Sequence, residues 1–416
     1  MTAVLQEEKS RAQGSAAAPK HPPAAKAALQ AALLTGGQDP HYAHGLAMAL
    51  IANGVQVDVI GSDAIDSPQM HSTPGLRFFN SVGDTQEGNP AARIKRVLLS
   101  YARLMHYAAT SKAGVLHILW NNKIQFFDRT LLMLYYKALG KKIVLTAHNV
   151  NAERRDSKDS PWNRFTLRTQ YALAGHIFVH TKKMKDELQT QFHVPGRAVT
   201  VIPYGVNNAV PQSALTPAEA RKRLGMAEDE KVILFFGAIK IYKGLEYLVA
   251  AFQKLASRNP GLRLVIAGER KKGHEKYWSA IKQAIDAGPN HERILQKIEF
   301  IPDAETELYF KAADVAVLPY AEIFQSGILF LAYSFGLPVI ATDVGSFRED
   351  IIEGRTGFLC RPRDANALAE AIEKYFASDL FRNLPLRRRE IRDDTFAQHS
   401  WEAVGEISRQ VYEGLL

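Results

Sequence analysis

One cysteine, Cys360, occurs in a chain of 416 residues. It allows no internal disulfide framework and no cysteine-cluster metal site. Such sparing use suits a reducing, cytoplasmic compartment. No apolar run approaches the roughly 20 residues that a membrane-spanning helix needs. A charged-then-apolar leader is also missing, so no signal peptide is expected. The 13 histidines show no ligand spacing beyond His176 and His180, four apart in one apolar segment, and no metal is expected. Acidic residues are in deficit: 43 Asp and Glu face 52 Lys and Arg, for a formal net charge of +9. A basic balance points to anionic partners, whether nucleotides, phospholipid surfaces or nucleic acid. No nucleic-acid motif or aromatic-basic stripe accompanies the charge, so nucleic acid is not expected among the partners.

What is present fits a soluble globular protein of two or three domains. Residues 1–28, with their Ala and Pro content, are expected to form a disordered tail. Beyond them, short apolar runs without alternation recur, the pattern of strands covered on both faces. Runs at Leu29–Leu34, Val55–Gly61, Val115–Trp120, Lys142–His148, His176–His180 and Ala198–Gly205 alternate with helical periodicity, as at His41–Asn53, Phe126–Leu139, Pro161–Ala174 and Lys182–Phe192. Residues 64–91 read as an irregular connection with a possible strand at Leu76–Phe79. A second series follows: strands at Lys231–Gly237, Leu262–Gly268, Ile298–Pro302, Val315–Leu318 and Val339–Ala341, with helices between and after them. Strand-helix alternation implies two mostly parallel sheets, an α/β architecture of two doubly wound domains facing across a cleft.

Several positions invite chemistry. Ser326-Gly327 opens a helix after a buried strand, where free N–H groups and the positive helix end favour a phosphate. Gly36-Gly37 either makes a tight turn or lets a ligand approach the backbone. His148 falls where a strand meets its loop, as a structural or a ligand-facing imidazole. Residues 92–113 carry Arg93, Lys95, Arg96, Arg103 and Lys112 without one acid. Leu98, Leu99, Ala102 and Met105 can share one face of that helix, either packed on the core or laid on an anionic membrane.

The order of these motifs resembles the retaining nucleotide-sugar glycosyltransferases of family 4. The resemblance rests on Phe236-Gly237 through Leu245, Ala313–Pro319 through Gly336–Gly345, Glu353–Leu359, Thr146–His148 and Ile202–Val206. It implies the GT-B fold, with an acceptor domain at 29–212, a donor domain at 213–395 and a C-terminal helix within 396–416 that crosses back. It implies no cofactor beyond a nucleotide-sugar co-substrate, and a saccharide or lipid-linked acceptor of cell-surface polysaccharide or glycolipid assembly. By position, Lys243 resembles the lysine that binds the donor diphosphate, Gly237 the glycine that gives it room, and His148 the contact to the transferred sugar. Ile301 and Pro302 lie where the base is held. The family's arginine after that glycine is Ala238 here, and Lys240 can supply the charge. Its two glutamates are replaced by Ile323 and Leu331, with Glu322 one place early. Gln325, Ser326 and Gly327 are the expected substitutes, since amide and hydroxyl groups bind diphosphate or sugar oxygens. Loss of both acids also leaves open a non-catalytic nucleotide-sugar-binding protein.

Overall fold

The computed structural model describes residues 29–82, 90–155, 158–206 and 210–416. The expected tail at 1–28 lies outside the described residues, as does part of the boundary between the halves.

Two wholly parallel sheets form. The first contains β1 (Gln30–Leu34), β2 (Gln56–Gly61), β3 (Leu76–Asn80), β4 (Val115–Ile118), β5 (Lys142–Thr146), β6 (His176–Val179) and β7 (Val199–Val201). Their spatial order is β3-β2-β1-β4-β5-β6-β7. The second contains β8 (Lys231–Phe236), β9 (Leu262–Ala267), β10 (Ile294–Lys297), β11 (Val315–Leu318), β12 (Val339–Thr342) and β13 (Gly357–Cys360), ordered β10-β9-β8-β11-β12-β13. In both sheets the order of strand addition therefore reverses once, between β1 and β4 and between β8 and β11. In open α/β sheets such a switch point, at the carboxyl ends of the strands, leaves a crevice for ligands. The unbroken apolar runs make these central strands, because Val, Ile and Leu fill both faces.

Separate cores cover the sheets. One wraps the second sheet, and two line opposite faces of the first. The helix Trp401–Leu415 belongs to the first sheet's core: Val404 and Tyr412 are fully buried there, against the helix Pro40–Ala52. The Tyr412 hydroxyl and His117 Nδ1 lie 2.6 Å apart. The backbones at Gly45 and Gly205 leave no space for a Cβ beside the Trp401 indole.

Several expectations need correction. Residues 64–91 include a short helix, Pro68–Ser72, before β3. The run Phe126–Leu139 splits at Thr130 into the helices Gln125–Arg129 and Leu131–Ala138. The strand read at Ile298–Pro302 is β10 at Ile294–Lys297, because that segment, not the next, pairs with Leu264–Ala267 of β9. The strand read at Ala198–Gly205 begins in the 3-10 turn Gly196–Ala198 and shortens to β7. In the basic helix, Pro90–Thr110, the buried side is Tyr101, Leu104 and Ala108. Leu98 and Leu99 stand in solvent, so the Leu98-Leu99-Ala102-Met105 face is not the packed one. Aromatic Tyr101 and Tyr107 shift the stripe by one position, since their hydroxyls reach Asp128 and Asp58 inside the fold.

Candidate functional site

The second sheet's switch point is cationic. β8 is followed directly by Gly237, whose φ of +99° few side-chain-bearing residues adopt. A Cβ there would lie 3.0 Å from Lys243 Nζ and 3.4 Å from Ile328. Lys243 comes from the 3-10 turn Ile241–Lys243, and Ile328 from the first turn of the helix Gly327–Ser334. Three separate segments thus meet at one point. Lys243 is only 7% exposed. Its ammonium faces the Tyr320 ring at 5.3 Å and has no hydrogen bond or ion pair among the described residues. Burial lowers its pKa, opposed by the Tyr242 hydroxyl. An unanswered buried cation costs free energy unless an anion arrives. Ser326 stands at the N-cap of Gly327–Ser334 without bonding the helix backbone; its hydroxyl points toward Tyr320 Oη, 3.5 Å away. Gln325 Oε1 is buried with no donor.

Between the sheets lies a cavity of about 370 Å³. Ile301, Gly327, Ile328 and Leu331 line it from the second half, Asp39, His41 and Tyr42 from the first. Leu331 forms part of its wall, whereas Ile323 is packed in the second sheet's core. Pro302 is exposed and lines neither cavity of the cleft; its neighbours Ile301 and Asp303 line this one. Glu322 lines neither cavity either and makes no hydrogen bond or ion pair among the described residues. Several contacts cross the cleft: Lys183 Nζ donates to the Gly345 carbonyl oxygen at 3.1 Å, and Tyr204 stacks on Phe330 at 5.3 Å. His41 Nε2 pairs with Asp303 Oδ2 at 3.3 Å. Phe324, in the loop before Ser326, packs into the core of the first sheet, with the Arg154 guanidinium 5.6 Å above its ring.

The first sheet's switch point is amide-rich. A cavity of about 400 Å³ opens at the ends of β4 and β5, lined by Asn121, Gln170, His148 and, from across the cleft, Lys240. His148 stacks on Trp120 at 4.2 Å, nearly parallel, and its Nδ1 lies 3.2 Å from His180 Nε2. Its Nε2 is buried without a partner. Burial, then the neighbouring His180 and His117, hold its pKa well below the usual value, so the ring is neutral. Gly36 and Gly37 sit in the turn before Gln38, with φ of +58° and +71°. A Cβ on Gly36 would meet the Asn121 carbonyl oxygen at 2.7 Å. The close approach is thus to the chain's own backbone, and neither glycine lines a cavity of the cleft.

The structure therefore brings together Lys243, Gly237, Ser326 and Gly327 at one point, and His148 and Lys240 at another. Sequence reasoning missed Asp39, Tyr42, Tyr204 and Trp401, which wall the cleft. The Asp39-Pro40 pair, a helix start, was the available signal for the first of these. Among the described residues no group of three or more His, Cys, Asp or Glu could hold a metal, and no helix is long and apolar enough to cross a membrane.

Comparison with known proteins agrees with this architecture. The family model described as Glycosyltransferase Family 4 matches residues 40–210, and that described as Glycosyl transferases group 1 matches residues 217–392. An uncharacterized glycosyltransferase of Methanocaldococcus jannaschii is 24% identical over 91% of this chain and 95% of its own. The fold is similar to sucrose-phosphate synthase from Thermosynechococcus elongatus, with a TM-score of 0.75 at 22% identity over 93% of this chain and 99% of that one. It is also similar to Anabaena HepE in complex with UDP-glucose, with a TM-score of 0.73 at 14% identity over 94% and 100%. Two matched models spanning both halves, on two facing parallel sheets, lead to one conclusion: the chain belongs to glycosyltransferase family 4 and has the GT-B fold.

Proposed function

We propose that the protein transfers a sugar from a nucleotide-diphosphate sugar to a saccharide or lipid-linked acceptor, with retention at the anomeric carbon and without a metal. The observation that carries this reading is the buried, unpaired Lys243 beside Gly237 and the start of Gly327–Ser334. A diphosphate bound there would answer the cation and take the free helix N–H groups. As the bond from the anomeric carbon to the phosphate oxygen breaks, Lys243 stabilises the charge gathering on the leaving group. The acceptor hydroxyl attacks from the same face, and its proton passes to a departing phosphate oxygen. Support for retention comes from the amide-rich cavity: among the described residues no Asp or Glu lines it to serve as a base. His148, neutral and with Nε2 unpartnered, is suited to a sugar hydroxyl. Lys240, lining the same cavity from the second half, adds a second cation near the transferred group. Ile301 would hold the base, and Gln325 and Ser326 the oxygens met by glutamates elsewhere in the family.

In this reading residues 29–212 are the acceptor side, 213–395 the donor side, and 396–416 the segment that crosses back. The acceptor belongs to cell-surface polysaccharide or glycolipid assembly, at the cytoplasmic face of a membrane. Ile94 and Leu98, exposed on the basic helix, are suited to such a surface. A second reading, binding without catalysis, draws on Leu331 in the cavity wall where the family has an acid.

The test is turnover with UDP-, GDP-, ADP- and dTDP-sugars, after a thermal-shift screen for the donor that raises the melting temperature. Lys243→Ala should fold normally and lose about 100-fold or more in transfer, the usual loss of one preorganised donor to developing charge. Near-normal turnover in that variant would refute the assignment, and donor binding without any turnover in the native protein would favour the second reading.

A further inference from the structure

The amide-rich cavity contains a buried cation with no direct ion pair among the described residues. Arg129 ends the helix Gln125–Arg129, is 8% exposed and lines this cavity with His148. Its Nη1 donates to Asn163 Oδ1 at 2.8 Å and Thr166 Oγ1 at 3.1 Å, both neutral acceptors. Its Nε–H is buried with no acceptor at all. Asp128, adjacent in sequence, is engaged elsewhere: its carboxylate accepts from the Tyr101 hydroxyl and the Asn122 amide. Among the described residues Arg129 forms no ion pair. Burial lowers its pKa, opposed through space by Tyr171, Glu153 and Asp128, yet no carboxylate pairs with it directly as a guanidinium stripped of water normally requires.

The surrounding wall has a matching character. Amide side chains from Gln38, Asn121, Asn122, Gln125, Asn149 and Gln170 line the cavity, and Lys240 adds a second positive charge. No Asp or Glu among the described residues lines it. Amides offer both donors and acceptors, the complement of a polyol's hydroxyl groups. The planar fork of arginine fits phosphate or carboxylate through paired hydrogen bonds, and the Arg129 Nε–H is left over for one.

We infer that Arg129 forms an anion subsite for the acceptor, which is a saccharide or polyol bearing a phosphate or a carboxylate. Its charged group meets Arg129, its hydroxyls meet the amides, and its nucleophilic hydroxyl faces His148 and Lys240. The inference rests on the glycosyltransferase reading above and adds the charge of the acceptor. Arg129 and the six amides all belong to the first half, the acceptor side in that reading.

Calorimetric titration of the full chain tests this with glucose, glucose 6-phosphate and inorganic phosphate, and in parallel with UDP-glucose and UDP-glucuronate. The native protein should bind glucose 6-phosphate about 30-fold or more tighter than glucose, the scale of one charge-assisted pair. Arg129→Gln should shrink that gap to about 3-fold or less without changing glucose binding, and Arg129→Lys should keep part of it. Equal binding of charged and neutral sugars by the native protein overturns the inference, whether or not a variant folds. So does a gap that survives Arg129→Gln. A gap confined to UDP-glucuronate over UDP-glucose also overturns it, by moving the anion to the donor. Transfer that remains active with no such discrimination would remove only the acceptor's charge. Discrimination without any transfer would instead count against the glycosyltransferase reading.

Discussion

The two sheets share one strand order and one kind of switch point, yet they carry different chemistry there. At the end of β8 the fold concentrates a buried ammonium, a glycine with positive φ and the start of a helix. At the end of β4 and β5 it gathers amides, a neutral imidazole on an indole and a guanidinium. Topology supplies the crevice twice, and the side chains decide what enters each. The second crevice is suited to a diphosphate and the first to hydroxyl-rich ligands.

The largest effect should separate the two. Lys243→Ala acts on the phosphate side and should weaken donor binding as well as turnover. His148→Ala should leave nucleotide affinity nearly unchanged and lower kcat by roughly 10- to 100-fold, the scale of losing a positioned contact to the reacting group. Titration with nucleotide and with nucleotide sugar, beside steady-state rates, checks both. If His148→Ala abolished nucleotide binding, the division of labour between the sheets would fall.

Phe324→Ala probes what joins them. The ring is 8% exposed and packs in the first sheet's core although it belongs to the second half. Its removal should cost roughly 3 kcal/mol, at the low end for a buried phenylalanine. Most of that cost should appear as looser closure, read by hydrogen exchange at residues 321–326, with a lower kcat. A loss confined to global unfolding would contradict the bridging role.

Acid should distinguish the halves next. Burial depresses His117 to about 3 and His180 to about 4, and holds His148 well below its usual value. All three lie in the first half. Below about pH 6.5 the unfolded chain binds their protons and the folded one does not, so stability falls as pH falls. The loss runs from 6.5 down through about 4 for His180 and about 3 for His117, at roughly 1 kcal/mol per pH unit for each. Asp350 in the second half is raised to about 7 by burial. Its contribution has the opposite sign: it is present at low pH and lost as pH rises through 7. Hydrogen exchange at pH 7 and pH 5 should show the first sheet loosening in acid before the second.

The smallest effect is expected at the His41–Asp303 contact across the cleft. Both groups are partly exposed, so the pair is worth at most about 1 kcal/mol. The hydrogen bond to Asp303 raises the His41 pKa, so the contact is complete below that pKa and fades as pH rises. His41→Gln should change KM by no more than about 5-fold, mainly below pH 7.

Much of the fold was legible because its strands are unbroken apolar runs such as Val315–Leu318. Errors arose where burial is sparse. Residues 384–398 form a helix with only Leu384, Ile391 and Thr395 buried, too few to mark a stripe in so charged a segment. The apolar Ile298 and Phe300 drew the strand assignment past β10, yet Phe300 is largely in solvent. In the site, Lys243, Gly237 and His148 stand in contiguous motifs and could be read. Tyr42, Trp401 and Arg129 are ordinary residues scattered over more than half the chain, and only folding makes them neighbours.

The position of Trp401–Leu415 bears on how the molecule is made. The face of the first sheet that Val404 and Tyr412 cover stays open while every residue up to 400 is being synthesised. The half that emerges from the ribosome first is thus among the last to be finished, and it must wait with oily surface uncovered. During that interval a nascent chain would be a natural client for a chaperone, and a stalled ribosome would leave an aggregation hazard where a completed chain leaves an enzyme.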